Sequence, residues 1–237
     1  MSTPFGFIAR SEGNNNVTID DANGVMHVTE IGSYTPSNNV EMSVYITFQR
    51  PVTSEAPPMV FLRPGDAGGC YNLGFVGGPG NWTACRFAAM GGNRSTGSYF
   101  LGVLAPSASG EQWGLRVWDG NHRLMYDSGL MYTQLTARLP GRTWSYLGKT
   151  RQGSSFFWTY EINNPNKDWY FLANPWCAGM RKVRSRSAGA NVAPSGFTYI
   201  LRHNNNARDR FQIQFQQLVD NWNPNFTEDF LMAIPRG

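Results

Sequence analysis

Gly114-Leu115-Arg116-Val117-Trp118-Asp119, followed by Leu124-Met125-Tyr126-Asp127-Ser128, repeats in outline a stretch near the start of the chain: Gly6-Phe7-Ile8-Ala9-Arg10-Ser11, followed by Val17-Thr18-Ile19-Asp20-Asp21. An aromatic precedes the glycine in both, Phe5 and Trp113, and the first copy has one more residue in its turn. Each arm alternates apolar with other side chains. The middle is turn-forming, Ser11-Glu12-Gly13-Asn14-Asn15-Asn16 in one copy and Asp119-Gly120-Asn121-His122 in the other, so the pattern predicts a β-hairpin twice. Asp20 and Asp127 end the second arms, where a carboxylate accepts main-chain N–H bonds at a turn.

The similarity continues downstream. Val40, Met42, Val44, Ile46 and Phe48 alternate with polar residues as Phe156, Trp158, Tyr160 and Ile162 do, which predicts matching half-buried strands. Met59-Val60-Phe61-Leu62 pairs with Trp169-Tyr170-Phe171-Leu172, each introduced by a turn-forming stretch, Ala56-Pro57-Pro58 and Asn163-Asn164-Pro165-Asn166. A fourth pair joins residues 82–87 with 197–201, and a fifth joins 99–104 with 211–218. Short strands at regular spacing, with no 3.6-residue periodicity, predict an all-β protein of two tandem, duplicated, antiparallel β-sandwich-like modules. The boundary is expected in Ala105-Pro106-Ser107-Ala108-Ser109-Gly110, giving module 1 over 1–110 and module 2 over 111–237.

Bulk properties agree with that class. The 237 residues suffice for two modules, and 26 Gly with 8 Trp, 10 Tyr and 15 Phe combine turn formers with side chains that pack on pleated surfaces. At 41% hydrophobic and 15% charged, the chain is too apolar for disorder, and it lacks a long uncharged apolar run, so no membrane anchor is expected. Met1-Ser2-Thr3-Pro4-Phe5-Gly6 does not read as a secretory signal, and synthesis and assembly in a cytoplasm are expected. Residues 1–110 hold five basic and seven acidic side chains, net −2, whereas 111–237 hold fifteen and nine, net +6. Module 1 is slightly acidic and module 2 is basic.

No residue set in the sequence reads as an active site. A hydrolase needs a nucleophile, a base and an orienting group, and of His27, His122 and His203 the last two fall in expected surface loops. The Gly-x-Ser-x-Gly elbow, His-Glu-x-x-His and the full phosphate-loop pattern Gly-x-x-x-x-Gly-Lys-Ser/Thr are missing. Gly68-Gly69 and Gly77-Gly78-Pro79-Gly80 read as tight turns. Cys70, Cys85 and Cys177 have no metal-ligand spacing and read as buried thiols, so neither metal nor cofactor is expected. The strongest charged feature is Arg181-Lys182-Val183-Arg184-Ser185-Arg186. It reads as a solvated loop or as a contact with an acidic protein partner through Arg181, Lys182, Arg184 and Arg186. Nucleic acid ranks below both, because no aromatics are interleaved. Trp82, Trp169 and Trp176 are the candidate aromatic platforms for a sugar.

The two glycine-led hairpins resemble the opening of small tail-tip or baseplate proteins of long-tailed bacteriophages. The resemblance implies a virion structural component, packed by β modules against other phage tail proteins and copies of itself, with no cofactor or catalytic residue. The alternative is a carbohydrate- or receptor-binding adhesin module that meets a host surface glycan or receptor.

Overall fold

The computed structural model describes residues 9–10, 17–19, 24–37, 43–65, 69–90, 96–104, 106–153, 155–174, 181–182, 196–203, 209–217 and 229–237. They form eighteen strands: β1 (Ala9–Arg10), β2 (Val17–Ile19), β3 (His27–Tyr34), β4 (Ser43–Val52), β5 (Met59–Pro64), β6 (Gly69–Gly78), β7 (Asn81–Met90), β8 (Gly97–Val103), β9 (Arg116–Trp118), β10 (Leu124–Asp127), β11 (Tyr132–Leu139), β12 (Ser145–Gln152), β13 (Ser155–Asn163), β14 (Tyr170–Leu172), β15 (Arg181–Lys182), β16 (Gly196–His203), β17 (Arg210–Gln217) and β18 (Phe230–Arg236). Among the described residues the only helical piece is a 3-10 turn at Gly141–Thr143, and no helix is long and apolar enough to cross a membrane. The protein is all-β and antiparallel, as its patterning predicts.

Two hairpins stand apart, β1 with β2 and β9 with β10, where the glycine-led motifs place them. The other strands make two layers. One is a closed barrel in the order β11-β18-β14-β5-β8-β3, and the other is an open sheet in the order β12-β13-β17-β16-β6-β7-β4, with β15 attached to β16. The barrel closes where Tyr132 of β11 meets His27 of β3, with Val28 N donating to Met131 O at 2.8 Å and Thr133 N to Met26 O at 2.7 Å.

Each half contributes strands to both layers. In the barrel β3-β8-β5 meets β14-β18-β11, and in the sheet β4-β7-β6 meets β16-β17-β13, so the two halves follow one strand order. The layers run across the 110/111 boundary through the β5–β14, β3–β11 and β6–β16 pairings. That order corrects two of the sequence matches. The fourth and fifth pairs equate β7 with β16 and β8 with β17, whereas topology puts β6 opposite β16, β7 opposite β17 and β8 opposite β18. The shift arises because β6, rich in glycine, reads as turns. Gly69, Gly77 and Gly78 lie in the strand, and the turn itself is Pro79–Gly80.

Burial explains why the layers adhere. Val44, Ile46 and Phe48 of β4, Cys85 and Phe87 of β7, and Trp158 and Tyr160 of β13 point from the sheet onto Val60 and Leu62 of β5, Leu101 of β8, and Phe230 and Met232 of β18. This core is common to both halves. The alternate barrel residues Phe61, Phe100, Tyr170, Leu172 and Ala233 form a second cluster on the face turned away from the sheet, which is the barrel interior. Phe61 and Phe100 stack there at 4.4 Å between centroids, and Tyr170 meets Phe100 edge-on. One buried carboxylate ties the layers: Glu30 of β3 accepts from the Tyr99 hydroxyl of β8 and from Gln49 N of β4 at 2.8 Å. Beside it, burial first and then the Glu30 charge push the Cys85 thiol up to about 12.

Candidate functional site

A groove of about 680 Å³ lies between three segments: residues 53–59, the end of β8 with residues 106–108, and the β9–β10 hairpin. Each wall is fixed locally. Ser54 O accepts from Gly80 N at 3.0 Å and Trp82 Nε1 at 3.1 Å. Asn174 clamps the start of β5, its Oδ1 accepting from Val60 N at 2.7 Å and its Nδ2 donating to Pro58 O at 3.0 Å.

The hairpin wall is held by two aspartates. Asp119 Oδ1 accepts from Asn121 N at 2.9 Å and Arg123 N at 2.8 Å, while Arg123 Nε donates to Asp119 Oδ2 at 2.7 Å. The Arg123 amide foremost, with the guanidinium and the Asn121 amide, holds the Asp119 carboxyl below its usual range. His122 completes the turn at φ +61°. At the far end, buried Asp127 accepts from Gly129 N and Ser109 N, both at 2.8 Å, and from Arg116 Nε at 2.9 Å. Burial alone would raise its pKa, but these donors outweigh that and hold the carboxyl at about 2. Arg116 also donates to Ser109 O at 2.9 Å and Glu111 O at 2.6 Å, so the 106–111 segment is latched to the hairpin. Gly114 sits at φ +148°, where a Cβ would stand 2.5 Å from the Ser128 hydroxyl, so the motif's glycine is required there.

Within this frame Trp118 stays 47% exposed and lines the groove with Leu104, Glu55, His122 and Arg123. An indole face beside a carboxylate, an imidazole and a guanidinium can stack a flat or ring-shaped ligand and hydrogen-bond its rim. Among the described residues no group of three or more His, Cys, Asp or Glu is placed to hold a metal ion.

The sequence candidates fare differently. Arg181 and Lys182 form β15, paired with Phe197 and Gly196 of β16, while Arg184 and Arg186 lie outside the described residues, as do Trp176 and Cys177. Trp82 and Trp169 are partly buried against the main core, so they pack rather than present a platform. Cys70 and Cys85 are buried, as their reading as buried thiols expects. Gly148-Lys149-Thr150, a triplet that phosphate loops also contain, lies within β12 with no helix after it, and Thr143 stands where that pattern needs glycine. His27 is buried at the barrel seam, and both its ring nitrogens lack a hydrogen-bond partner.

Among the described residues the exposed tryptophans are Trp113, at 89%, and Trp118. Both belong to the glycine-led motif, which sequence reasoning used as a fold marker. For Trp118 the signal was the alternation of β9, where Val117 turns inward and Trp118 outward. Compared with protein-family models, curated proteins and solved structures, the chain gives no significant match to any.

Proposed function

We propose that the protein is a virion structural component of a tailed bacteriophage, a tail-tip or baseplate protein held by protein–protein contacts and assembled in the host cytoplasm. The observation that carries this reading is the concentration of exposed apolar side chains over residues 113–135: Trp113, Leu115, Trp118, Met131, Tyr132 and Leu135. Side chains of this size left in water favour an interface, and tryptophan and tyrosine are its usual anchors. The partners in this proposal are other phage tail proteins and further copies of the chain. The common strand order of the halves supports a tandem duplication behind the two hairpins. Binding surfaces, not turnover, are the proposed role, so the isolated protein should leave polysaccharide, peptidoglycan and phosphoesters intact. The test is mass spectrometry of purified particles, with Trp113→Glu and Leu115→Glu introduced together. The protein should be present and the double variant depleted; absence of the unaltered protein from particles overturns the reading.

A second reading, a carbohydrate- or receptor-binding adhesin module used in host attachment, is favoured by Trp118 in its groove. It predicts that the free protein binds host cells and that Trp118→Ala abolishes this.

A further inference from the structure

We propose that the outer face of the open sheet holds a site for a carboxylated pyranose, gripped by Arg86 between Tyr45 and Tyr71. A depression of about 680 Å³ lies on that face, and its lining includes Tyr45, Tyr71, Asn72, Arg86 and Ala88. It is separate from the groove at Trp118.

Strand phase builds it. In β4 and β7 the residues flanking Tyr45 and Arg86 (Val44, Ile46, Cys85, Phe87) are buried in the core, so Tyr45 and Arg86 point the other way. In β6 the ladder slips by one residue, from Tyr71 opposite Ala88 to Gly74 opposite Arg86. Asn72 occupies the bulge at φ +56°, a left-handed conformation that a side-chain-bearing residue adopts at a cost. The extra residue resets the alternation. Cys70, Leu73 and Phe75 all face the core, while Tyr71 and Gly74 remain outside.

Three strands therefore juxtapose two phenol rings, one guanidinium and a floor of small residues. Tyr45 pairs with Arg86, which pairs with Gly74; Ser43 pairs with Ala88, which pairs with Tyr71. A Cβ on Gly74 would stand 3.8 Å from Arg86 Nε, so the Arg86 side chain lies over the space that glycine leaves open.

The chemistry selects an occupant. Among the described residues Arg86 is the only charged one lining the depression, and none of them makes an ion pair or hydrogen bond with its guanidinium. A planar fork of N–H donors without a carboxylate suits a bidentate anion. Tyr45, 60% exposed, and Tyr71 supply ring faces for the C–H surface of a sugar. Asn72 adds an amide at the rim. A free carboxylate would use Arg86 alone and a neutral sugar only the tyrosines; a carboxylated pyranose uses both. This assignment does not depend on whether the protein resides in a virion.

The test is isothermal titration of the full chain with trigalacturonate, a chain uronate, and 3′-sialyllactose, a terminal sialic acid, with lactose and acetate as controls. Binding of either acidic probe with no detectable heat from lactose or acetate is the expected result, and the probe preferred identifies the source. Arg86→Gln should weaken that binding by about tenfold or more, and Arg86→Lys by less, since it keeps the charge and loses the fork. Gly74→Val should weaken it by displacing the Arg86 side chain that lies over that glycine, with the charge intact. Melting curves matching the unaltered protein show that these variants fold. Failure of both acidic probes, equal binding of lactose, or full retention by folded Arg86→Gln overturns the proposal.

Discussion

Arg116 and Asp127 face each other across the β9–β10 hairpin with Nε donating to Oδ2 at 2.9 Å, and the same carboxylate accepts the amides of Ser109 and Gly129. The pair joins the hairpin to the segment that links the two halves. Asp127 is 1% exposed, so removing it leaves a guanidinium and two amides facing an emptied site. Asp127→Ala should cost about 3–5 kcal/mol of unfolding free energy, as breaking a buried pair does. Asp127→Asn should cost less, because an amide oxygen still accepts from one N–H. Urea titration measures both, and a loss under about 1 kcal/mol for the alanine variant would remove the latch from the account.

Two groups give stability opposite surroundings but the same pH sign. Asp127 titrates at about 2 against an ordinary value near 3.8, so its contribution is complete above the unfolded value and lost as pH falls through the folded one. That difference corresponds to about 2 kcal/mol, disappearing between roughly pH 4 and 2. His27 acts earlier.

Burial lowers the His27 pKa, opposed by the carbonyls of Met131 and Met125 and by the Asp127 charge, and the Tyr126 ring lies 5.9 Å away. The unfolded chain therefore takes up the His27 proton before the folded one does. Stability should begin to fall as pH drops below about 6.5. His27→Leu should flatten that first step and leave the one at lower pH, because it removes the group that titrates there. Melting temperature against pH reads both, and an unchanged slope between pH 6.5 and 5 in the variant would clear His27 of the effect.

The all-β class was legible because alternation survives in single strands: Val44, Ile46 and Phe48 are buried where period two puts them, as are Trp158 and Tyr160. The barrel was not legible. It depends on which edges meet, and a pairing such as Leu62 with Phe171 leaves no local trace at either residue. Strand β6 was hidden by its glycines, and its bulge at Asn72 breaks the very alternation that would have revealed it. For the candidate surfaces, aromatic identity was visible but burial was not. Trp82 and Trp169 pack against the core, whereas Trp113 and Trp118 reach solvent, and of these four only Trp118 has its exposure marked by the alternation of β9.

That distinction is testable with two tryptophans of the same half. Trp158 is 3% exposed in the core between the layers, and Trp158→Ala should cost about 3–5 kcal/mol. Trp113→Ala should change stability by less than about 0.5 kcal/mol, as a surface substitution does. Under the assembly proposal it should nevertheless reduce incorporation into particles. Comparable destabilisation by both would show that Trp113 serves the fold rather than an interface.

The basic segment offers the last test. Residues 111–237 carry net +6 against −2 for 1–110, and four cations fall within Arg181-Lys182-Val183-Arg184-Ser185-Arg186. Its first two residues are paired with Phe197 and Gly196 of β16, a strand that also pairs with β6 where the halves meet. The segment thus starts from a fixed point on the sheet. Four cations so close repel one another unless solvated or matched by a partner, and arginine favours carboxylates for its two-point grip. Contact with an acidic neighbouring protein predicts that Arg184→Glu with Arg186→Glu lowers incorporation into particles. A desolvated contact should lose roughly 2–5 kcal/mol of binding, while an exposed rim contact should change mainly in its salt dependence. The measurement is incorporation across a salt series, and equal incorporation of both proteins at every salt concentration would identify the segment as solvated surface.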